Sequence, residues 1–378
     1  MSIFSSDKGW RTFLRVYVFL LAALFIGGYA FILVVDPYDS IPLSPKWERV
    51  PVDRDQAYFY PALARSARFD SAVIGTSTVR LLKPEELDSR LNSRFVNLAM
   101  NAATVFEQEA IFDIFIRHHP KPKTVIFGID HLYFEEKNFK AHLGEKGYWP
   151  EWLYDRNPFN NFPAYRLRTL NHAWREFLTI AGIETYKYGS DGYTDFTKPL
   201  DEYDLNRARV KTYGTVAPKP IRVVDPPVRL SPEVIRAMQF PALGVLARML
   251  DKLPADTVKI LFVTPFHHYA QPPPGSEEEI RWREFLRRLT GLARSHPGTW
   301  LLDFNIVSPI TSEDAHYWDT GHYTVVVASQ LAALIADGVR GGDSSDYVRL
   351  YPAVDPTKLD PPGRMGVAAP QPPGGSEG

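Results

Sequence analysis

The chain contains no cysteine, so disulfides, thiolate nucleophiles and cysteine-based zinc sites are excluded. It carries almost no net charge, formally −1, and so shows none of the basic excess that nucleic acid would attract. There is no internal repeat, no HExxH helix and no glycine loop to cradle a phosphate, since Gly75 and Gly128 each stand alone. His118-His119 and His267-His268 are adjacent pairs, which in extended chain point to opposite sides. Asp319 and His322 could serve as metal ligands, but no further ligand stands at a recognisable spacing. Neither a metal nor an organic cofactor is expected.

What is present is a folded protein's composition, 45% hydrophobic and 23% charged over 378 residues, enough for one large domain or two ordinary ones. The segment from Val16 to Val35 has no charged residue, and a helix of roughly 20 residues spans a bilayer. Lys8, Arg11 and Arg15 precede it, and Asp36 and Asp39 follow it. The basic flank keeps residues 1–15 cytoplasmic and sends the rest outward. Gly27-Gly28-Tyr29-Ala30 offers a conceivable signal-peptide cleavage site, but the apolar run exceeds a normal signal core, so an uncleaved anchor over 16–35 is the expectation.

Residues 36–60 read as a polar, proline-punctuated connector, 61–340 as the folded domain, and 341–378 as a disordered tail rich in Gly, Pro, Ser and Asp. Within the domain, short apolar runs at 71–74, 95–100, 123–129, 258–263 and 300–304 predict strands. Helical patterns lie at 105–117, 231–253, 276–295 and 323–339. Alternation of the two predicts a three-layer α/β fold around a mostly parallel sheet. Residues 135–230 interrupt the rhythm, and 133–165 hold ten aromatics. They read either as an inserted subdomain with its own small core or as a wall offering aromatic faces to a sugar.

Open α/β sheets bind ligands at the carboxyl ends of their strands, and polar clusters fall there in register. Ser77 lies in Gly75-Thr76-Ser77, beyond the first strand, as a nucleophile or as a helix N-cap. Asn97 to Ala103 closes the second strand, Gly128-Ile129-Asp130-His131 the third, and Thr264 to His268 the fourth. Asp319 and His322 stand three apart before the last helix, a spacing that lets the carboxylate fix the imidazole tautomer and leave the other nitrogen as a general base.

The order Gly-x-Ser, a small-residue turn, then Asp-x-x-His resembles the SGNH (GDSL-like) hydrolase superfamily over about residues 60–130 and 255–340. The anchored form resembles the bacterial branch that handles acyl groups on cell-surface polymers, as in D-alanyl transfer and alginate O-acetylation. The resemblance implies Ser77 as nucleophile, His322 as base, Asp319 as orienting carboxylate, and the Ser77 and Ala102 amides as oxyanion donors. It implies an O-acyl esterase or transferase, acetyl above all, acting on a carbohydrate polymer at the outer face of the bacterial cytoplasmic membrane, with a membrane-bound O-acyltransferase as a partner.

Two departures favour a second expectation, a weakly active accessory protein docking such an acyltransferase or a polysaccharide export complex. Ala102 replaces a glycine, which is tolerable only at negative φ. Asp130 replaces the asparagine that would donate to the oxyanion, and an ionised carboxylate cannot donate. Loss of one donor costs about 3–4 kcal/mol. Either Asp130 faces away to serve structure, with Arg80 as a ready partner, or Asn97, Asn101, His131 or His267 supplies the donor.

Overall fold

The computed structural model describes residues 7–45, 47–53, 55–134, 139, 149–157, 162, 166–185, 188–197 and 199–351. A single helix, α1 (Asp7–Val35), opens the chain. Within its stretch Gly9–Val35 an 18-residue window has a mean hydropathy of 2.7, and the helix is long and apolar enough to cross a membrane. The helix stops at Asp36, whose buried carboxylate accepts from the amides of Ser40 and Ile41 and the hydroxyls of Ser40 and Ser44. Arg49 donates to the last helical carbonyl, that of Val35, and so satisfies an acceptor that a helix end leaves open.

The sequence predicts five strands, and the described residues form six, in the order β2-β1-β3-β4-β5-β6. They are β1 (Ser71–Ile74), β2 (Phe95–Asn97), β3 (Thr124–Ile129), β4 (Val258–Val263), β5 (Thr299–Asp303) and β6 (Arg349–Tyr351). Every pairing is parallel except β5 with β6. Residues 349–351 therefore belong to the sheet edge, not to a disordered tail, and residues 352–378 lie outside the described part. β1, β2 and β3 are buried throughout and β4 and β5 nearly so, which is why they read as continuous apolar runs.

The helices after α1 are α2 (Gln56–Arg65), α3 (Pro84–Leu91), α4 (Val105–His118) and the short α5 (His131–Phe134). Then come α6 (Leu167–Ile180), α7 (Leu205–Tyr213), α8 (Pro232–Ala237), α9 (Ala242–Asp251), α10 (Glu277–Ser295) and α11 (Val325–Val339). Thr104 and Glu107 form a reciprocal capping box at α4, and Ser276 caps α10 through the Glu279 amide. The helix expected over 231–253 is two helices, because Pro241 cannot continue the α8 ladder and starts α9 instead.

Successive strand residues face opposite ways. Ala72, Val125, Phe127, Leu261 and Leu301 join a core with α4, α9 and α10, while Val73, Ile126, Ile260, Phe262 and Leu302 join one with α3 and α11. The aromatics of 133–165 build no core of their own among the described residues. Tyr133, Phe134, Phe139, Trp149 and Tyr154 pack on the first core, and Trp152 packs on a cluster of Tyr38, Val52, Tyr58, Phe59 and Leu153. The connector thus folds against the insertion. Tyr148, Phe159 and Tyr165 lie outside the described residues.

Candidate active site

β1 ends at Ile74, and the chain turns at Gly75 into a single 3-10 turn, Ser77–Val79. The turn can sit this low on the sheet because two glycines leave room for Val79. A Cβ on Gly75 would come within 2.7 Å of Val79 Cγ2, and one on Gly128 within 2.6 Å of Val79 Cγ1. The N-cap of the turn is Thr76, whose hydroxyl accepts from the Thr78 amide. Ser77 is consequently not spent on capping.

Its hydroxyl points instead to the far side of the sequence: Ser77 Oγ lies 2.9 Å from His322 Nε2. His322 Nδ1 lies 2.9 Å from both oxygens of Asp319. A carboxylate only accepts, so Nδ1 carries the proton and Nε2 is left to accept from the serine. The loop that holds the pair is tied by a bridge between the buried Tyr317 and Tyr323. Within it Asp319 Oδ1 also accepts from the amides of Gly321 and His322.

Burial alone would raise the Asp319 carboxyl. The hydrogen bond and charge of the His322 ring, helped by those two amides, outweigh it and hold Asp319 down at about 2. A carboxylate depressed on folding contributes stability above its ordinary range near pH 4, and that contribution is lost as pH falls towards 2. Asp319 therefore stays ionised throughout any pH range in which the base can work.

The other residues singled out from sequence divide sharply. Asn97 is buried and fully spent. Its Nδ2 donates to the carbonyls of Val79, Arg80 and Leu82, and its Oδ1 accepts from Ala99 N. It splints the segment after Ser77 to β2 and does not serve as a substrate donor. Asn97→Ala would strand those buried carbonyls, so unfolding in denaturant should show a loss of about 3 kcal/mol. His267 is also buried, bound to Asp314 Oδ1 at 3.0 Å and to the Tyr269 amide, and offers nothing to the serine. His131 is exposed at the start of α5, edge-on to Phe266.

Asp130 is buried and takes the hydroxyl of Thr76 on Oδ2 at 2.5 Å, with Thr78 Oγ1 at 3.4 Å from the same oxygen. It braces the residue before Ser77. Arg80, the expected partner of Asp130, turns the other way and is neither paired with it nor solvated. Only 2% exposed, Arg80 donates through Nη1 to Asn101 Oδ1 at 2.7 Å and lies 4.8 Å from the Phe196 ring centroid. This bond fixes the Asn101 amide, because the oxygen must face the guanidinium, and leaves Nδ2 without a partner among the described residues.

Ala102 follows at φ +49°, in the left-handed region, against the expectation of negative φ. The turn keeps the glycine-type conformation and carries a cost of about 1–2 kcal/mol for its Cβ. Met100 N bonds Gly75 O at 3.1 Å, which fastens this turn beside the one bearing Ser77. The Ser77 amide itself has no acceptor among the described residues.

Phe196 gave no signal in the sequence. It lies in the insertion, yet its ring stands edge-on to His322 at 5.9 Å. Residues 188–197 reach the site because Tyr60 Oη donates to Gly192 O and Asn97 N donates to Asp191 O. Gly192 sits at φ +81°, where a Cβ would strike the Asn97 carbonyl at 2.1 Å. The resulting cleft, about 430 Å³, is lined by Phe196, Thr197, Asp204, Trp318, Asp319 and His322. A second cleft of about 430 Å³ borders Asp130 and His131 with Phe134, Phe266 and Trp282. Compared with known proteins, the chain matches no family model and has no significant sequence similarity to any curated protein.

Proposed function

We propose that the protein is a membrane-anchored, SGNH-like serine O-acyl esterase or transferase, acting on an acylated, most simply acetylated, carbohydrate outside the cytoplasmic membrane of a bacterium. One observation carries the reading: Ser77 Oγ, the His322 ring 245 residues further on, and Asp319 form an unbroken hydrogen-bonded chain at the carboxyl ends of the strands. Helices against both faces of a mostly parallel sheet support the three-layer SGNH fold. Lys8, Arg11 and Arg15 before an apolar helix support the outward orientation.

In the first half-reaction Ser77 Oγ attacks the acyl carbonyl while His322 Nε2 takes its proton. The C–O bond to the donor alcohol breaks, and the same imidazole returns the proton to the departing oxygen. Asp319 holds the ring and balances the imidazolium. The oxyanion is met by the Ser77 amide and by Asn101 Nδ2. In the second half-reaction water or a sugar hydroxyl gives its proton to His322 and attacks the ester, and the imidazole returns that proton to Ser77 Oγ as the acyl–serine bond breaks. The cleft suits a sugar, pairing the aromatic faces of Phe196 and Trp318 with the polar Thr197 and Asp204.

Incubating the detergent-solubilised full chain with an O-acetylated oligosaccharide should release acetate, or move it to an added acceptor sugar. A folded protein that does neither, alone or with a membrane acyltransferase, would refute the reading. The accessory role would then gain from the acid at Asp130 and the strained Ala102.

A further inference from the structure

α6 is built inside out for a helix in water. Its buried side is polar, with Thr169, His172 and Glu176 inside, and Arg168 and Arg175 paired to Asp55 and Asp53. Its open side is largely apolar, with Leu167 84% exposed, Trp174 51% and Phe177 38%, Ile183 just beyond at 67%, and the uncharged Asn171 among them. A water-facing helix normally turns its charged stripe outward, so this face is fitted to another solvent.

Its position identifies that solvent. α6 packs on the end of α1, where Leu170, Ala173 and Ile180 meet Ile32 and Val35. Phe31 of α1 lies 6.2 Å from Trp174 and 5.8 Å from Phe177, centroid to centroid. The uncharged stretch of α1, residues 16–35, makes about 30 Å of helix and so matches a hydrocarbon core of about 30 Å. Its last turn and a half, which carries Phe31, therefore lies at the outer edge of that core, and the rings of α6 stand at that level. The charges of Asp36, Asp39 and Arg49 follow at once and set the water boundary. Aromatic rings at that depth are what the interface selects.

We propose that α6 lies in the outer leaflet's interfacial layer, with Leu167, Trp174, Phe177 and Ile183 against lipid, so that the folded domain is seated on the membrane by a second element rather than swinging from α1. The proposal rests on α1 being a membrane anchor. Seating fixes the height of the Ser77 cleft above the bilayer and favours a substrate presented at the membrane surface.

The absence of cysteine makes the test clean. Single cysteines replace Trp174, Phe177, Leu24 and Val326 in the full chain, each spin-labelled after reconstitution into discs of equal phosphatidylethanolamine and phosphatidylglycerol. Labels at 174 and 177 should collide more with oxygen than with a water-soluble nickel chelate, as the anchor label at 24 should, while the label at 326 should show the reverse. Chelate-accessible labels at 174 and 177 beside a lipid-exposed label at 24 would overturn the seating and leave the anchor intact. A chelate-accessible label at 24 would remove the anchor and the seating together. Strong dipolar broadening at 174 would mean that a second copy covers the face, which also overturns the proposal.

Discussion

Replacing Ser77 by alanine is expected to lower turnover of an acetylated carbohydrate by about 10⁴- to 10⁶-fold, with little change in stability. The reason is geometric. Ser77 is not the cap of its turn, since Thr76 fills that role, so the hydroxyl's recorded partner is His322 Nε2. Removing it takes away the nucleophile and leaves the fold's own bonds in place. His322→Ala should cost nearly as much, because without the imidazole the serine keeps its proton. The double variant should be scarcely worse than either single one, since the two groups act as one unit. Additive losses in kcat would contradict a shared step.

Asn101→Ala is expected to lower kcat by about 10²- to 10³-fold while KM moves little. A donor aimed at an oxyanion works only once charge develops there, so its loss falls on the chemical step. The amide and carboxylate side chains at this edge of the sheet differ in what they can still donate. Asn97 has spent both ends of its amide, and Asp130 has no proton to give when ionised. Asn101 keeps Nδ2 because the buried Arg80 occupies its oxygen. Arg80→Leu should accordingly reproduce part of the loss by letting the amide turn over. Kinetics of both variants against wild type decide the matter, and an unchanged kcat in Asn101→Ala would contradict the role.

Much of this was legible from the sequence, for identifiable reasons. Strands buried on both faces leave continuous apolar runs, so β1, β3 and β4 could be placed to within a residue or so. Asp319 and His322 are close in sequence, and their coupling is a local matter. Ser77 could be placed at the same sheet edge because parallel strands present all their carboxyl ends together.

Side-chain partners across long separations were not legible. Nothing near Arg80 says that it binds Asn101 rather than Asp130, since that choice depends on how two turns dock. Phe196 reaches His322 through a loop pinned at Asp191 and Gly192, which no periodicity marks. The sign of φ at Ala102 was set by docking of its turn on Gly75, against the residue's own preference. The apolar face of α6 was hidden for a different reason: amphipathicity tells that a helix has two sides, but not which of them faces the protein.

The most direct test of the serine mechanism is mass spectrometry of the full chain after reaction with a fluorophosphonate. The expected result is one adduct per chain, on the peptide bearing Ser77, absent from Ser77→Ala and strongly slowed in His322→Ala. A folded protein that takes no adduct, or takes it on another residue, would contradict an activated nucleophile at Ser77.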